Sequence, residues 1–380
     1  MRLPRAAERR RRAGVVLAWV VSFAYAPAGP AADGHYLSYP DVVAGSPMVF
    51  PTDHGSHPDY RTEWWYVTGW LQTTAGEQLG FQVTFFRTRP DVPPDNPSAF
   101  APRQLIIAHA ALSDPQLGRL RHDQRIARAG FGLADAATGD TDVRLDDWSL
   151  SREPGASASY RARVAGDGFA FDLELAATQP AMVNGVDGYS QKGRLPGSAS
   201  FYYSVPQLTV SGRVERDGQR ADVQGSAWLD HEWSTALLDP DAAGWDWVGL
   251  NLDDGSSLMA FRMRDRDGGQ LWAGGTLRRV DGGVETFGPR EIEFSPGRRW
   301  RSLRTSIEYP VSWRVRAGVV RVELQPLFDD QEADSRATTG AVYWEGAVQA
   351  LRAGERVGRG YLELTGYGEP LRLPGDEPGR

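Results

Sequence analysis

A chain of 380 residues with no cysteine excludes disulfide scaffolding, thiolate chemistry and lipid attachment through a cysteine. Six arginines and one glutamate precede residue 33, leaving 36 basic against 48 acidic residues beyond it, a net charge of −12 that argues against nucleic acid as a partner. Forty-three glycines, 25 prolines and 11% aromatics describe many short strands joined by turns, an all-β composition with chain enough for two domains.

The first segment has the shape of a signal peptide. Arg9 to Arg12 form a basic region, Ala13 to Ala26 a short apolar run, and Pro27 to Ala32 a stretch of small residues. A leader over residues 1–32 predicts an exported protein, periplasmic or secreted. An uncleaved membrane anchor is the alternative, although the apolar run is short for a span.

The densest chemistry follows at Phe50 to Leu71, FPTDHGSHPDYRTEWWYVTGWL. Its first half is polar and turn-rich. Its second half alternates as a strand does, with Glu63, Trp65, Val67 and Leu71 on one face and Trp64, Tyr66, Thr68 and Trp70 on the other. Aromatic side chains on both faces predict a wall between a core and a ligand cavity. A turn at Thr73 to Gly76 and a return strand from Leu79 to Arg87 complete a hairpin. A proline-rich connection, 90–102, leads to a strand at Gln104 to Leu112 carrying His109, read as a hydrogen-bonded structural histidine. Further strands are expected around Trp148, at Ser159 to Val164, Phe169 to Leu175 and Ala199 to Val205, and Gln124 to Ala137 is the best place for a helix. Lys192 is the only lysine, hence the single candidate for Schiff-base chemistry.

The second half echoes the first. Displaced by 180 residues, Trp65 falls on Trp245 and Gly69 on Gly249, and Asp-His pairs precede both aromatic strands, Asp53-His54 and Asp230-His231. This favours two related barrels over one sandwich, divided as 33–210 and 211–380.

The motifs DHGSHPDYRTEWWYVTG, SAWLDHEW (Ser226 to Trp233), GWDWVGLNLDDG (Gly244 to Gly255), YWEGAV (Tyr343 to Val348) and GYLELTGY (Gly360 to Tyr367) together resemble the lipocalin-like AttH and carotenoid 1,2-hydratase family. The resemblance covers nearly all of the chain beyond the leader. It implies two lipocalin-like β-barrels in tandem, no organic cofactor, and hydrophobic ligands; members of the family hydrate terminal double bonds of carotenoids or prenylated compounds. One departure stands out: where such hydratases carry a Tyr-Asp pair on the second barrel's return strand, this chain has Phe261-Arg262.

Hydrating an isolated alkene needs a strong acid, a dry pocket that stabilises a tertiary cation, and a positioned water. Aromatic faces suit the cation, because their quadrupole attracts positive charge. On that basis Asp230 with His231 is expected as the proton-donor pair, Asp246 as the water-orienting base, and Trp233 and Trp245 as cation-stabilising walls; Trp64, Trp65, Tyr66 and Trp247 are expected against the substrate. Strand alternation sets a condition, since an extended Trp228 to Trp233 turns Asp230 away from His231 and Trp233. The structural alternative has Asp230 and Glu232 paired with arginines at a barrel rim. His54 and His57 are read as a polar corner rather than a metal site, with Arg61 paired to a carboxylate and Glu63 closing the strand's entry. Glu345 and Glu363, on the closing strands, are expected to meet a basic partner inside a barrel. The second functional class is a non-catalytic periplasmic carrier of an apolar ligand that serves an ABC-type transporter.

Overall fold

The computed structural model describes residues 38–93, 95–153 and 158–371; the expected leader lies outside them. Among the described residues the regular structure is β-strand, apart from one short 3₁₀ turn at Thr52–His54. The first sheet holds β1 (Thr62–Thr73), β2 (Gln78–Thr88), β3 (Leu105–Asp114), β4 (Arg119–Arg128), β5 (Ala134–Ala136), β6 (Asp142–Leu145), β7 (Trp148–Glu153), β8 (Ser159–Gly166), β9 (Phe169–Ala176), β10 (Met182–Val183), β11 (Tyr189–Gln191), β12 (Ala199–Arg216) and β13 (Gln219–Ser234). Its order is β4-β3-β2-β1-β13-β12-β9-β8-β7-β6-β5, with β10 and β11 added to β12. The second half contributes β14 (Ala242–Leu252), β15 (Ser257–Asp265), β16 (Gln270–Arg278), β17 (Val284–Phe287), β18 (Ile292–Pro296), β19 (Arg299–Arg301), β20 (Glu308–Pro310), β21 (Trp313–Ala317), β22 (Val320–Pro326), β23 (Glu332–Ser335), β24 (Ala341–Arg352) and β25 (Glu355–Leu364). The order there is β17-β16-β15-β14-β25-β24-β22-β21-β18, with β23 on β24 and a separate β19-β20 pair. These are two lipocalin-like antiparallel barrels in tandem, as expected.

Local chemistry explains the hairpins. β1 and β2 are joined at Gly76, whose φ of +86° suits a residue without Cβ, and Gly255 at +89° does the same between β14 and β15. The first barrel's seam between β4 and the turn joining β8 to β9 is bridged by side chains. The Arg125 guanidinium lies over Trp148 and donates to the Ala165 carbonyl at 2.9 Å, and Arg121 donates to the Gly168 carbonyl at 3.3 Å while pairing with Asp217, in the turn from β12 to β13, at 2.7 Å.

Two expectations change. The proposed helix at Gln124 to Ala137 is strand β4, a turn and β5, because β4 pairs with β3 along its whole length and that ladder overrides local propensity. The expected boundary at 210/211 falls inside β12; the change of sheet lies between Ser234 and Ala242.

Each barrel has its own apolar interior, the first including Trp65, Val67, Leu71, Leu229 and Trp233, the second Val248, Leu250, Leu362 and Leu364. A third cluster, with Tyr66, Trp70, Tyr202, Trp228, Trp247 and Phe261, lies where the barrels meet. There Trp70 Nε1 donates to the Gly360 carbonyl at 3.0 Å, and the Leu120 amide donates to the Asp330 carbonyl at 2.9 Å. The approach is close enough that a Cβ on Gly80 would stand 2.7 Å from both Ala347 Cβ and the Tyr361 hydroxyl. The two faces of β1 therefore serve different compartments: odd positions enter the first barrel and even positions the junction.

Candidate functional site between the barrels

The junction holds a cavity of about 130 Å³, walled by Trp64, Tyr66, Phe86, Ile107, Tyr202, Trp245, Trp247, Phe261, Met263 and Tyr343. Its ionisable lining is Asp230 and Glu232 from β13, Glu345 from β24, Glu363 from β25, His109 from β3, and Lys192. The volume is close to that of dry apolar cavities that take up benzene, and so matches a group of five or six carbons.

Asp230 is the most elaborately held of these groups. Its carboxyl accepts from Ser204 Oγ (2.5 Å), Trp228 Nε1 (2.7 Å) and the Tyr202 hydroxyl (2.8 Å), and Tyr202 in turn accepts from Trp247 Nε1 at 3.0 Å. Burial outweighs these three hydrogen bonds and pushes the Asp230 carboxyl up to about 7. Glu232 has a charged partner: Lys192 Nζ lies 3.0 Å away, and the same ammonium sits 4.6 Å from the Tyr202 ring centre and 4.1 Å from that of Phe261. The expected arginine partners for Asp230 and Glu232 are thus replaced by neutral donors and by the chain's only lysine.

Glu345 and Glu363 are direct cross-strand partners on β24 and β25. Burial and the charge of Glu363 raise Glu345 well above the usual carboxylate range; burial likewise brings Glu363 to about 7, against the Trp245 Nε1 hydrogen bond at 3.1 Å. The basic partner expected for them does not appear: among the described residues neither carboxyl has a salt bridge, and the polar neighbour of Glu345 is the buried Tyr66 hydroxyl. His109 bonds the Tyr343 hydroxyl and Thr338 Oγ1, both at 2.8 Å, and burial lowers its pKa to about 3, so it is neutral.

His231 and Trp233 point the other way, into the first barrel. His231 Nε2 and His57 Nδ1 both donate to Glu63 Oε1, at 2.9 and 2.7 Å, while Arg87 Nε donates to Glu63 Oε2 at 2.7 Å. With Nε2 the donor, His231 Nδ1 accepts from Tyr203 (3.1 Å), whose oxygen accepts from His54 Nδ1 (2.8 Å), which assigns the tautomers along the chain. Burial would raise Glu63, but the two imidazoles and Arg87 hold it well below the ordinary range. His57 also reaches Asp53 at 3.3 Å; burial disfavours its cation, yet the two carboxylates outweigh that and raise its pKa. Its ring stacks on Trp233 at 3.7 Å, and Trp65 stacks on His231 at 4.6 Å. His57, Glu63 and His231 lie within 4.8 Å of one another, but as a hydrogen-bonded set they are satisfied, and a cation there would compete with Arg87. Arg61 pairs with Asp91 at 3.2 Å on the surface.

Asp246 faces the second barrel's interior, bound to Arg262 (2.5 Å), Arg264 (3.1 Å) and the Tyr367 hydroxyl (2.8 Å). It faces Arg262 on the return strand as Glu63 faces Arg87 in the first barrel. That equivalence displaces the halves by 183 residues, from 63 to 246, and puts Trp64 on Trp247, both in the cavity. The 180-residue echo instead matches Trp65, inside the first barrel, with Trp245, in the cavity. The departure at Phe261-Arg262 thereby acquires a structural account: Phe261 lines the cavity, and Arg262 neutralises Asp246.

Of the residues expected to act together, the cavity gathers Asp230, Trp64, Tyr66, Trp245 and Trp247. It does not gather His231, Trp233, Trp65 or Asp246, because strict alternation on β1, β13 and β14 sends them inward. Sequence reasoning singled out Lys192 for Schiff-base chemistry alone and missed its place beside Glu232, together with Tyr202 and the cavity side of Glu345 and Glu363. The signal for Tyr202 was available: FYYS at 201–204, like EWWY, carries aromatics on both faces.

The AttH-like family model matches residues 41–367. The chain belongs to the AttH-like family. The crystal structure of the AttH-type protein NE1406 from Nitrosomonas europaea is 54% identical, covering 86% of this chain and 99% of that one with a TM-score of 0.80. Kievitone hydratase from Nectria haematococca, at 17% identity, covers 87% of this chain and 96% of its own with a TM-score of 0.65, a likeness of fold. A search of curated proteins gave no match. This AttH-like chain thus shares its two-barrel architecture with a hydratase.

Proposed function

We propose that the protein is a cofactor-independent hydratase that adds water to the terminal alkene of a hydrophobic, isoprenoid-like substrate held between its barrels. The observation that carries the reading is Asp230, a carboxyl set in an aromatic-walled cavity and raised by burial to about 7. In its neutral form the Asp230 O–H delivers a proton to the less substituted alkene carbon, leaving a tertiary cation at the other. The ring faces of Trp64, Tyr66 and Trp247 attract that charge without capturing it. Water then adds to the cation and gives up a proton to the Glu345–Glu363 pair, whose carboxyls line the cavity. One proton leaves Asp230 and one reaches the pair, and exchange with solvent restores both. The cavity volume suits the reacting five-carbon end of a longer ligand. We infer that the work is done outside the cytoplasm, from the leader-like residues 1–32.

The test is turnover of a panel of prenyl alkenes in heavy-oxygen water. Wild type is expected to give an alcohol carrying one heavy oxygen, and Asp230→Asn to give none above background. Tight ligand binding without incorporation would replace this reading with the carrier, handing its ligand to an ABC-type transporter.

A further inference from the structure

Of the 42 basic residues in the chain, 41 are arginine and one, Lys192, is lysine. In the two barrel interiors arginine neutralises the buried carboxylate: Arg87 pairs with Glu63 in the first, Arg262 and Arg264 with Asp246 in the second. A planar guanidinium offers a carboxylate two parallel donors and stacks on aromatic faces, so it would serve Glu232 at least as well as an ammonium does. What an amine can do and a guanidinium cannot, at neutral pH, is give up its proton and form a bond to carbon. The chain's one lysine stands where that difference can be used.

Lys192 is 5% exposed and lines the cavity between the barrels, in company with Glu232, Tyr202 and Phe261. It follows β11 directly, and its backbone amide donates to the Ser198 carbonyl at 2.7 Å, which holds the start of the side chain in place. Its Nζ lies 3.0 Å from Glu232 Oε1, 4.6 Å from the Tyr202 ring centre and 4.1 Å from that of Phe261. The same Glu232 oxygen accepts from Ser200 Oγ, so the carboxylate is fixed as well. A base in contact with the amine and two ring faces that suit a planar cation are what imine formation asks of its surroundings.

We propose that Lys192 is a covalent binding site for a small, branched, unsaturated aldehyde, which the cavity holds as an imine. The cavity volume limits such a ligand to about five carbons. Glu232 takes a proton from the ammonium, and the freed Nζ lone pair forms the C–N bond to the carbonyl carbon; the nitrogen then passes a proton to the carbonyl oxygen, giving a carbinolamine. Glu232 returns its proton to that hydroxyl, the C–O bond breaks, and water leaves as the nitrogen lone pair completes the C=N bond. The net change is loss of one water, with no oxidant or reductant. The positive charge stays on the nitrogen, and Glu232 ends as the carboxylate beside it. The inference rests on the cavity being the ligand site and stands apart from alkene hydration.

The experiment incubates the full chain at pH 7 with 3-methylbut-2-enal and sodium cyanoborohydride, which reduces an imine to a stable secondary amine. Intact mass and peptide mapping follow the product, and Lys192→Arg supplies the background from the N-terminal amine. One adduct on Lys192 is expected, formed at least about tenfold faster than on the same residue in the urea-unfolded chain. Glu232→Gln, its fold checked by thermal melting, should slow the adduct by at least about a hundredfold, the usual contribution of a positioned acid and base. Labelling no faster than in the unfolded chain, label confined to the N-terminal amine, or a rate unchanged in Glu232→Gln would overturn the site. Heavy-oxygen incorporation from prenyl alkenes, measured on the same preparation, keeps the two readings apart. Turnover without an adduct removes the imine and leaves the hydratase standing, and an adduct without turnover does the reverse.

Discussion

Asp230 and His231 are adjacent in the chain and serve opposite compartments: the carboxyl bonds Tyr202 in the cavity between the barrels, and the imidazole bonds Glu63 inside the first barrel. Their substitutions should therefore separate chemistry from stability. Asp230→Asn is expected to lower turnover by at least about a hundredfold, the usual contribution of a positioned acid. His231→Ala removes a donor from a buried carboxylate and should cost about 3 kcal/mol in urea unfolding, while the folded fraction retains its turnover. Equal loss of turnover in both variants at full folding would restore the paired role.

The pH profile of turnover should fall as pH rises through about 7, because the reactive form of Asp230 is neutral. The same group ties stability to pH. Its folded pKa lies above its unfolded value of 3.8, so its contribution is fully present below about 4 and is lost as pH rises through 7. Asp230→Asn does not titrate. The stability difference between variant and wild type should thus shift by on the order of 4 kcal/mol, in the variant's favour, across that window and stay flat outside it. Denaturant melts from pH 4 to 8 measure this.

His109 has the opposite sign. Burial lowers its folded pKa from 6.5 to about 3, so its stabilising effect is present above 6.5 and lost as pH falls toward 3. His109→Gln, which keeps a donor and an acceptor for Tyr343 and Thr338, should destabilise the protein modestly at pH 7 and flatten its acid transition. An unchanged slope of stability against pH in that window would show that His109 does not govern it.

Asp246 provides a control for the second barrel. Asp246→Asn leaves Arg262 and Arg264 buried or half-buried without their counter-charge, an imbalance expected to cost roughly 3–5 kcal/mol. Turnover per folded molecule should stay within about twofold, since Asp246 faces away from the cavity. A selective loss of turnover would return Asp246 to the chemistry.

Much of this architecture was legible before any coordinates. Double-sided aromatic alternation at Glu63 to Leu71 identified a strand shared by a core and a cavity, and β1 has those two faces. Alternation also warned that Asp230 and His231 would part. Partners fixed by long-range register were not legible: Asp246 with Arg262, Glu345 with Glu363, and Lys192 with Glu232 come from strands or loops whose pairing no local pattern specifies. The rule that buried carboxyls find basic partners pointed Glu345 and Glu363 toward an ion pair, and a cavity that holds raised carboxyls bonded to Tyr66 and Trp245 instead departs from it. Local propensity failed at Gln124 to Ala137, where the pairing of β4 with β3 decided the conformation.

The position of Lys192 bears on how this protein can be watched as it moves. It is the sequence's sole lysine, and it lies buried at the junction against Glu232 and two aromatic rings. A reagent selective for side-chain amines therefore has one address on the whole molecule, and in this structure that address is covered. The rate at which such a reagent marks Lys192 becomes a clock for how often that one address is uncovered.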